Sequence, residues 1–254
     1  MPYNAICQVN KKALAHAFSR AAKQYDQFAE FQRAVGEQLL AHCDWQMPGL
    51  LVDAGAGSGW FSRYFREQGH CVTAFDLSSG MLQQAAQQQS ADHYVRGDLE
   101  AFPFQAQSID YLWSNLALQW CSDFKETVQE IQRSLKEHGK LAVSTLAAGS
   151  LPEIEQVWQQ MGRSAPINRW SSAESLLDAA RSLDLIAWQA PIVCHFPSPL
   201  AALWSLKGIG ASHLHAGRQS GLGGREFFNQ IEDYWPRDEE GFRLTYQIVF
   251  GVTR

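Results

Sequence analysis

The run Asp53-Ala54-Gly55-Ala56-Gly57-Ser58-Gly59 sets a carboxylate two residues ahead of a turn with glycine at every second position. Glycine has no side chain and tolerates positive φ, so a turn of this kind lets backbone amides close on a ligand. Leu50 to Ala54 reads as a short buried strand and the chain from Ser58 as a helix, the strand, turn and helix order that holds a nucleoside. A dinucleotide-binding turn, G-x-G-x-x-G, needs its third glycine where Trp60 stands, so that pattern fails. What remains is acid-x-G-x-G-x-G. Asp53 would repel a pyrophosphate but suits the ammonium of an amino acid. The competing reading is a glycine turn that merely saves space in an α/β sheet.

Three further polar residues favour a ligand. Asp76 ends the next apolar run, about twenty residues beyond the glycines, where nucleotide folds place a carboxylate against ribose hydroxyls. Leu77 and Met81 follow it and can flank an adenine ring. Asp98 closes the run from His93, and its carboxylate with the Leu99 amide can read the amino group and a ring nitrogen of adenine. Asn115 closes the run from Ile109. In an open parallel sheet ligands bind outside the carboxyl ends of the strands, so these tips converge on one crevice. An amino-acid ammonium, a ribose and an adenine together describe S-adenosyl-L-methionine, with Tyr25, Asp53, Gly55, Ala56, Gly57, Asp76, Leu77, Met81, Asp98, Leu99 and Asn115 as its contacts.

The elements that must position these residues read as a βα alternation. Asn10 caps a helix to about Ala22, and a second helix from Gln24 to His42 carries Tyr25, Phe28, Phe31, Val35, Leu39 and Leu40 on one stripe. Lying ahead of the first strand, both can form a lid over the cofactor mouth, which would bring Tyr25 near the reacting methyl; membership of the stripe alone explains Tyr25 equally well. Strands are predicted at 50–54, 71–75, 93–97, 109–114 and 140–146, with a helix from Asp123 to Lys136 stopped by Gly139. Beyond Gly149 the alternation changes: helices at 151–162 and 172–181, then strands at 185–195 and 242–252 paired as an antiparallel hairpin, with a cap from about 198 to 236 inserted between them. The predicted fold is therefore α/β and Rossmann-like, a seven-stranded, mostly parallel sheet with an antiparallel edge strand. It is read as one domain over 1–254: lid helices at 9–45, a cofactor-binding core at 46–148 and a substrate-facing part at 149–254.

Composition narrows the function class. The 254 residues are 46% hydrophobic and 19% charged, with no apolar run of the roughly 20 residues a membrane span needs and no signal-peptide pattern at the start. Five scattered cysteines without a C-x-x-C pair argue against a disulfide framework or zinc site and fit a reducing cytoplasm. A net charge of −5 argues against nucleic acid as the main partner.

With the glycine turn, Asp76, Asp98 and Asn115 assembled, the chain resembles the class I S-adenosylmethionine-dependent methyltransferases. Phe18-Ser19-Arg20-Ala21-Ala22 with Tyr25, the Ser114 to Cys121 run, Gly149-Ser150-Leu151-Pro152-Glu153, and the Ser205 to Ala211 run make it similar to the malonyl-acyl-carrier-protein O-methyltransferases of early biotin synthesis, from about Val9 to the end. Ala56 departs from that pattern, where many members carry cysteine.

The resemblance implies methylation of the free carboxylate of a malonyl thioester, with acyl carrier protein as partner or coenzyme A in its place. Such a carboxylate is already ionised at neutral pH, so neither a general base nor a metal is expected. Candidates for holding the substrate are Tyr25, Trp120, Arg169, Lys207 and His213, and Lys207, Arg218 and Arg225 are candidates for docking the acidic carrier, with solvated surface charge as the alternative. His213 and His215 are spaced like metal ligands but lack a third. The rival readings are a methyltransferase for another small acid or a quinone-type ring carbon, and a non-catalytic nucleoside-binding module.

Overall fold

The computed structural model describes residues 9–45, 47–208 and 225–254. The chain opens with α1 (Lys11–Ala21), α2 (Tyr25–Phe28) and α3 (Glu30–Leu40). The alternation follows: β1 (Leu50–Ala54), α4 (Trp60–Glu67), β2 (Cys71–Asp76), α5 (Ser79–Gln87), β3 (His93–Arg96), β4 (Ile109–Asn115), α6 (Phe124–Arg133) and β5 (Leu135–Leu146). The last part holds α7 (Pro152–Gln160), α8 (Ala173–Ser182), β6 (Leu185–Phe196), α9 (Pro199–Gly208), α10 (Arg225–Tyr234), β7 (Arg237–Asp238) and β8 (Gly241–Thr253).

The long strands form one sheet in the order β3-β2-β1-β4-β5-β8-β6. β1 to β5 are parallel, and β8 runs antiparallel between β5 and β6. The order reverses between β1 and β4, the topological switch at which α/β sheets bind ligands. Period-two alternation divides the core. Leu51, Val72, Ala74 and Trp113 face α3 and α4, where Val35, Leu39, Phe61 and Phe65 cover them. Val52, Ala54, Phe75, Leu112 and Val143 face the opposite side, against Val128 and Ile131 of α6 and Ala180 of α8.

The seven long strands stand where the hydrophobic runs put them, with four differences of detail. The antiparallel strand is one place in from the edge, because β8 takes β5 on one side and the whole length of β6 on the other. A two-residue strand, β7, pairs with the start of β8 and adds an eighth. The helix predicted from Gln24 to His42 breaks at Ala29, whose φ of −88° and ψ of 23° leave the helical region. Tertiary bonds hold the short α2 apart: Ser58 Oγ and Gln88 Nε2 both donate to the carboxylate of Asp26. Lastly, α6 ends at Arg133 rather than Lys136 and Gly139 lies inside β5, since Ser134 turns back onto the Ile131 carbonyl and frees Leu135 to pair with Ile109.

Candidate functional site

The glycine turn leaves β1 as predicted and is tied down from below and beside. Gly55 N and Ala56 N donate to the Phe75 carbonyl at 2.7 and 3.1 Å, and Gly57 N donates to Asp76 Oδ2 at 2.9 Å. Gly55 has φ 87°, and a Cβ there would stand 2.3 Å from Cβ of Ala117, so no other residue fits that close approach. Asp76 also accepts from Ser78 N at 2.7 Å, which makes it the brace between the turn and the start of α5. Burial raises its pKa, against the pull of those two amides.

A crevice opens at the carboxyl ends of β1 to β4. Gly55, Gly57, Asp76, Leu77, Met81, Asp98, Leu99 and Asn115 all line it, as the spacing required. Tyr25 closes one side, its ring 3.7 Å from where a Cβ of Gly57 would be. Burial, then the charges of Asp76 and Asp26, push the Tyr25 phenol well above its ordinary value. Trp120 lines the crevice too, with the Phe18 ring edge-on at 6.0 Å.

Other predicted residues fall elsewhere. Asp53 lies beneath the turn, 3% exposed and off the crevice wall, accepting from Ser62 Oγ at 2.6 Å. Desolvation raises its pKa to about 7, with the Ser62 bond opposing and the Asp76 charge adding to the rise. Its role in this structure is to fasten the turn to α4. Ala56 is also absent from the lining. Asn115 reaches the crevice, but its amide already donates to the Gln32 carbonyl at 2.8 Å and accepts from Ser144 Oγ at 2.7 Å, joining β4 to α3 and β5. Arg169 is exposed in the segment before α8 and does not line the crevice; that segment is held at Ser171, whose carbonyl accepts from Ala148 N at 2.8 Å. Lys207 is the last residue but one of α9 and Arg225 the first of α10, both with side chains outside the described structure, while His213, His215 and Arg218 lie outside the described residues altogether.

Sequence reasoning missed Lys11, Leu14, Ser78 and Leu116, all on the crevice wall. Lys11 and Leu14 share a face with Phe18, so helical spacing could have found them. Leu116 carried no signal: it has φ 54°, a strained conformation for leucine, held by the donation of its N–H to Ser144 Oγ at 3.0 Å. The Gly149 to Glu153 run proves structural. Ser150 Oγ accepts from Gln247 N at 2.8 Å, and the buried Glu153 carboxylate takes both the amide and the hydroxyl of Thr245, at 3.0 and 2.5 Å.

A second, open groove lies at the amino ends of β2 and β3, between Arg63, Arg66, Gln88 and Asp92. Within it Arg66 Nε donates to Asp92 at 3.0 Å and the Arg63 guanidinium donates to Gln88, and none of the predicted site residues reaches it. Among the described residues there is no cluster of metal-ligating side chains, and no helix is long and apolar enough to cross a membrane.

Residues 52–143 match the family described as a methyltransferase domain. The malonyl-[acyl-carrier protein] O-methyltransferase of Erwinia pyrifoliae is 50% identical over 96% of this chain and 93% of its own length. The chain belongs to the malonyl-[acyl-carrier protein] O-methyltransferase family. The relative of that name from Erwinia billingiae is 46% identical, over 96% of this chain and 97% of its own. Among solved structures the YcgJ protein of Bacillus subtilis superposes with a TM-score of 0.57 at 16% identity, covering 87% of this chain and 98% of that one, which establishes a shared fold. The chain is thus a methyltransferase of the Rossmann-like class, with its crevice at the switch of strand order.

Proposed function

We propose that this enzyme transfers a methyl group from S-adenosyl-L-methionine to the free carboxylate of a malonyl thioester on acyl carrier protein, giving the ester that primes pimeloyl synthesis for biotin. What carries the substrate assignment is the match to relatives of that name over 96% of the chain, lid and cap included.

The crevice suits the donor chemically. Asp76 keeps lone pairs beyond those given to Gly57 and Ser78, enough to accept from ribose hydroxyls, and Asp98 keeps one oxygen free of the contacts that engage its Oδ1. Leu77, Met81 and Leu99 supply apolar walls for a planar base. Bound there, S-adenosyl-L-methionine supplies an electrophilic methyl group on a sulfonium.

The protein's own part is positioning and exclusion of water. The acceptor carboxylate is ionised at neutral pH, so no residue need remove a proton. Tyr25 keeps its own proton because burial holds the phenol neutral, so it acts as a wall and a hydrogen-bond donor. Phe18, Trp120 and Tyr25 narrow the mouth, and a water-poor site favours a reaction in which opposite charges cancel. Fixing donor and acceptor in line can supply on the order of 7–11 kcal/mol. The substrate-facing role falls to residues 149–254, whose α9 and α10 pack beside α2 and α7.

The test is transfer of labelled methyl to malonyl-acyl carrier protein. The product should release labelled methanol in mild base, as a methyl ester does, while quinone-type and aromatic acceptors stay unlabelled. Label on a ring carbon, or none on the malonyl thioester, would overturn the assignment.

A further inference from the structure

Residues 9–25 contain Lys11, Lys12, Arg20 and Lys23 and no aspartate or glutamate, in a chain whose net charge is −5. Helix α1 sorts these cations by face. Lys11, Leu14, Ala15 and Phe18 turn into the crevice. Lys12, His16 and Arg20, at successive i, i+4 positions, and Lys23 just beyond the helix stand exposed on the other side. Lys11 is neutralised by Asp98 and Glu100. None of Lys12, His16, Arg20 or Lys23 pairs with a carboxylate of a described residue, whereas Arg66, Arg133, Lys136 and Arg181 each have one. Mixed-sign surfaces cancel their own field within a Debye length of about 8–10 Å, and this stripe has no acid in its own segment to cancel it.

We propose that the exposed stripe of α1 is the docking surface for an acidic carrier protein, so that the partner binds the lid rather than the cap. The inference rests on the substrate reading above and adds where its carrier sits. Acyl carrier proteins are acidic, which supplies the charge complementarity. The stripe and the crevice are two faces of one helix only about 10 Å across, so a carrier docked on the outer face hangs its acyl arm over the rim beside Phe18 and Tyr25. Complementary charge of this kind raises the encounter rate and is lost with salt. A small thioester without a carrier protein presents no acidic surface and needs none of it.

The test is the charge-reversed variant K12E/R20E/K23E, whose positions are exposed and outside the crevice. At low salt its kcat/KM for malonyl-acyl carrier protein should fall by at least about tenfold, and that for malonyl-N-acetylcysteamine should change by less than about twofold. Wild-type activity on the carrier substrate should fall as salt rises, and the variant's should not. A second arm needs no turnover: fluorescence anisotropy of labelled, unacylated carrier protein should show binding to wild type and at least about tenfold weaker binding to the variant. If neither thioester is methylated the substrate reading fails, while this arm still decides the docking surface. Equal loss on both thioesters, unchanged carrier affinity, or the same loss produced instead by R218E/R225E would overturn the proposal.

Discussion

Lys11 Nζ lies 2.9 Å from Asp98 Oδ1 and 2.6 Å from Glu100 Oε2, so the first residue of the lid helix is ion-paired to the chain just beyond β3. Burial alone would lower the Lys11 pKa, but the hydrogen bonds to the two carboxylates outweigh it and the net shift is upward. The pair members are 24–29% exposed, and a pair so open to water is worth about 0–1 kcal/mol. The proposed role of Asp98 as acceptor for the adenine amino group would be worth more, about 1–3 kcal/mol if lost. Asp98→Asn should therefore weaken binding of S-adenosylhomocysteine by roughly 5- to 150-fold, and Lys11→Met by less than about fivefold. Calorimetry on the two variants checks the order; a larger effect for Lys11→Met would make the latch, rather than the acceptor, the main contributor.

Tyr25 tests whether any side chain acts as a base. A general base is worth about 10² to 10⁴ in rate, and a protonated phenol that only orients the substrate is worth far less. Tyr25→Phe should keep kcat within roughly tenfold of wild type and leave the pH profile unchanged from pH 7 to 9. Collapse of kcat with a lost alkaline limb would assign the phenol a proton-transfer role.

Asp53 links the turn to pH. Its folded pKa of about 7 is raised from the usual 3.8, so in that interval the folded state holds the extra proton and stability falls as pH rises. The contribution is full below about 4, lost through about 7, and amounts to roughly 4 kcal/mol for a group this deeply buried. Asp53→Asn cannot titrate. Its melting temperature should drop less than wild type's between pH 5 and pH 8.5, by about 5 °C or more. Parallel curves for the two proteins would show that Asp53 titrates normally.

The lid depends on Gly80. A Cβ there would stand 2.7 Å from the Ser19 Cα and 2.9 Å from its carbonyl oxygen, and a backbone neighbour cannot yield by changing rotamer. Gly80→Ala should lift α1 from α5 and loosen the Ser19 to Ser78 hydroxyl contact of 2.8 Å. A loss of 1–2 kcal/mol corresponds to trypsin cleavage at Arg20 and Lys23 that is roughly 5- to 30-fold faster, with the core strands still protected. Unchanged cleavage would mean the helix shifts along its axis and stays docked.

The chain's order of elements was legible in the amino-acid sequence because local physics sets it. Glycine at 55 and 57, a carboxylate at each of 76 and 98, and period-two apolar runs are properties of short segments, and the strand tips they predicted do meet in one crevice. What needed the tertiary structure was every feature made by segments far apart in the chain. The break at Ala29 comes from Ser58 and Gln88 holding Asp26, and the placement of β8 inside the sheet from its pairing along all of β6. Asp53 is drawn from the ligand wall to Ser62, and Asn115 is occupied by Gln32 and Ser144. Lys11 meets Asp98 across 87 residues. A hydrogen bond between distant residues leaves no periodicity in either segment, so which polar groups face the ligand and which hold the frame is decided only when the chain has folded.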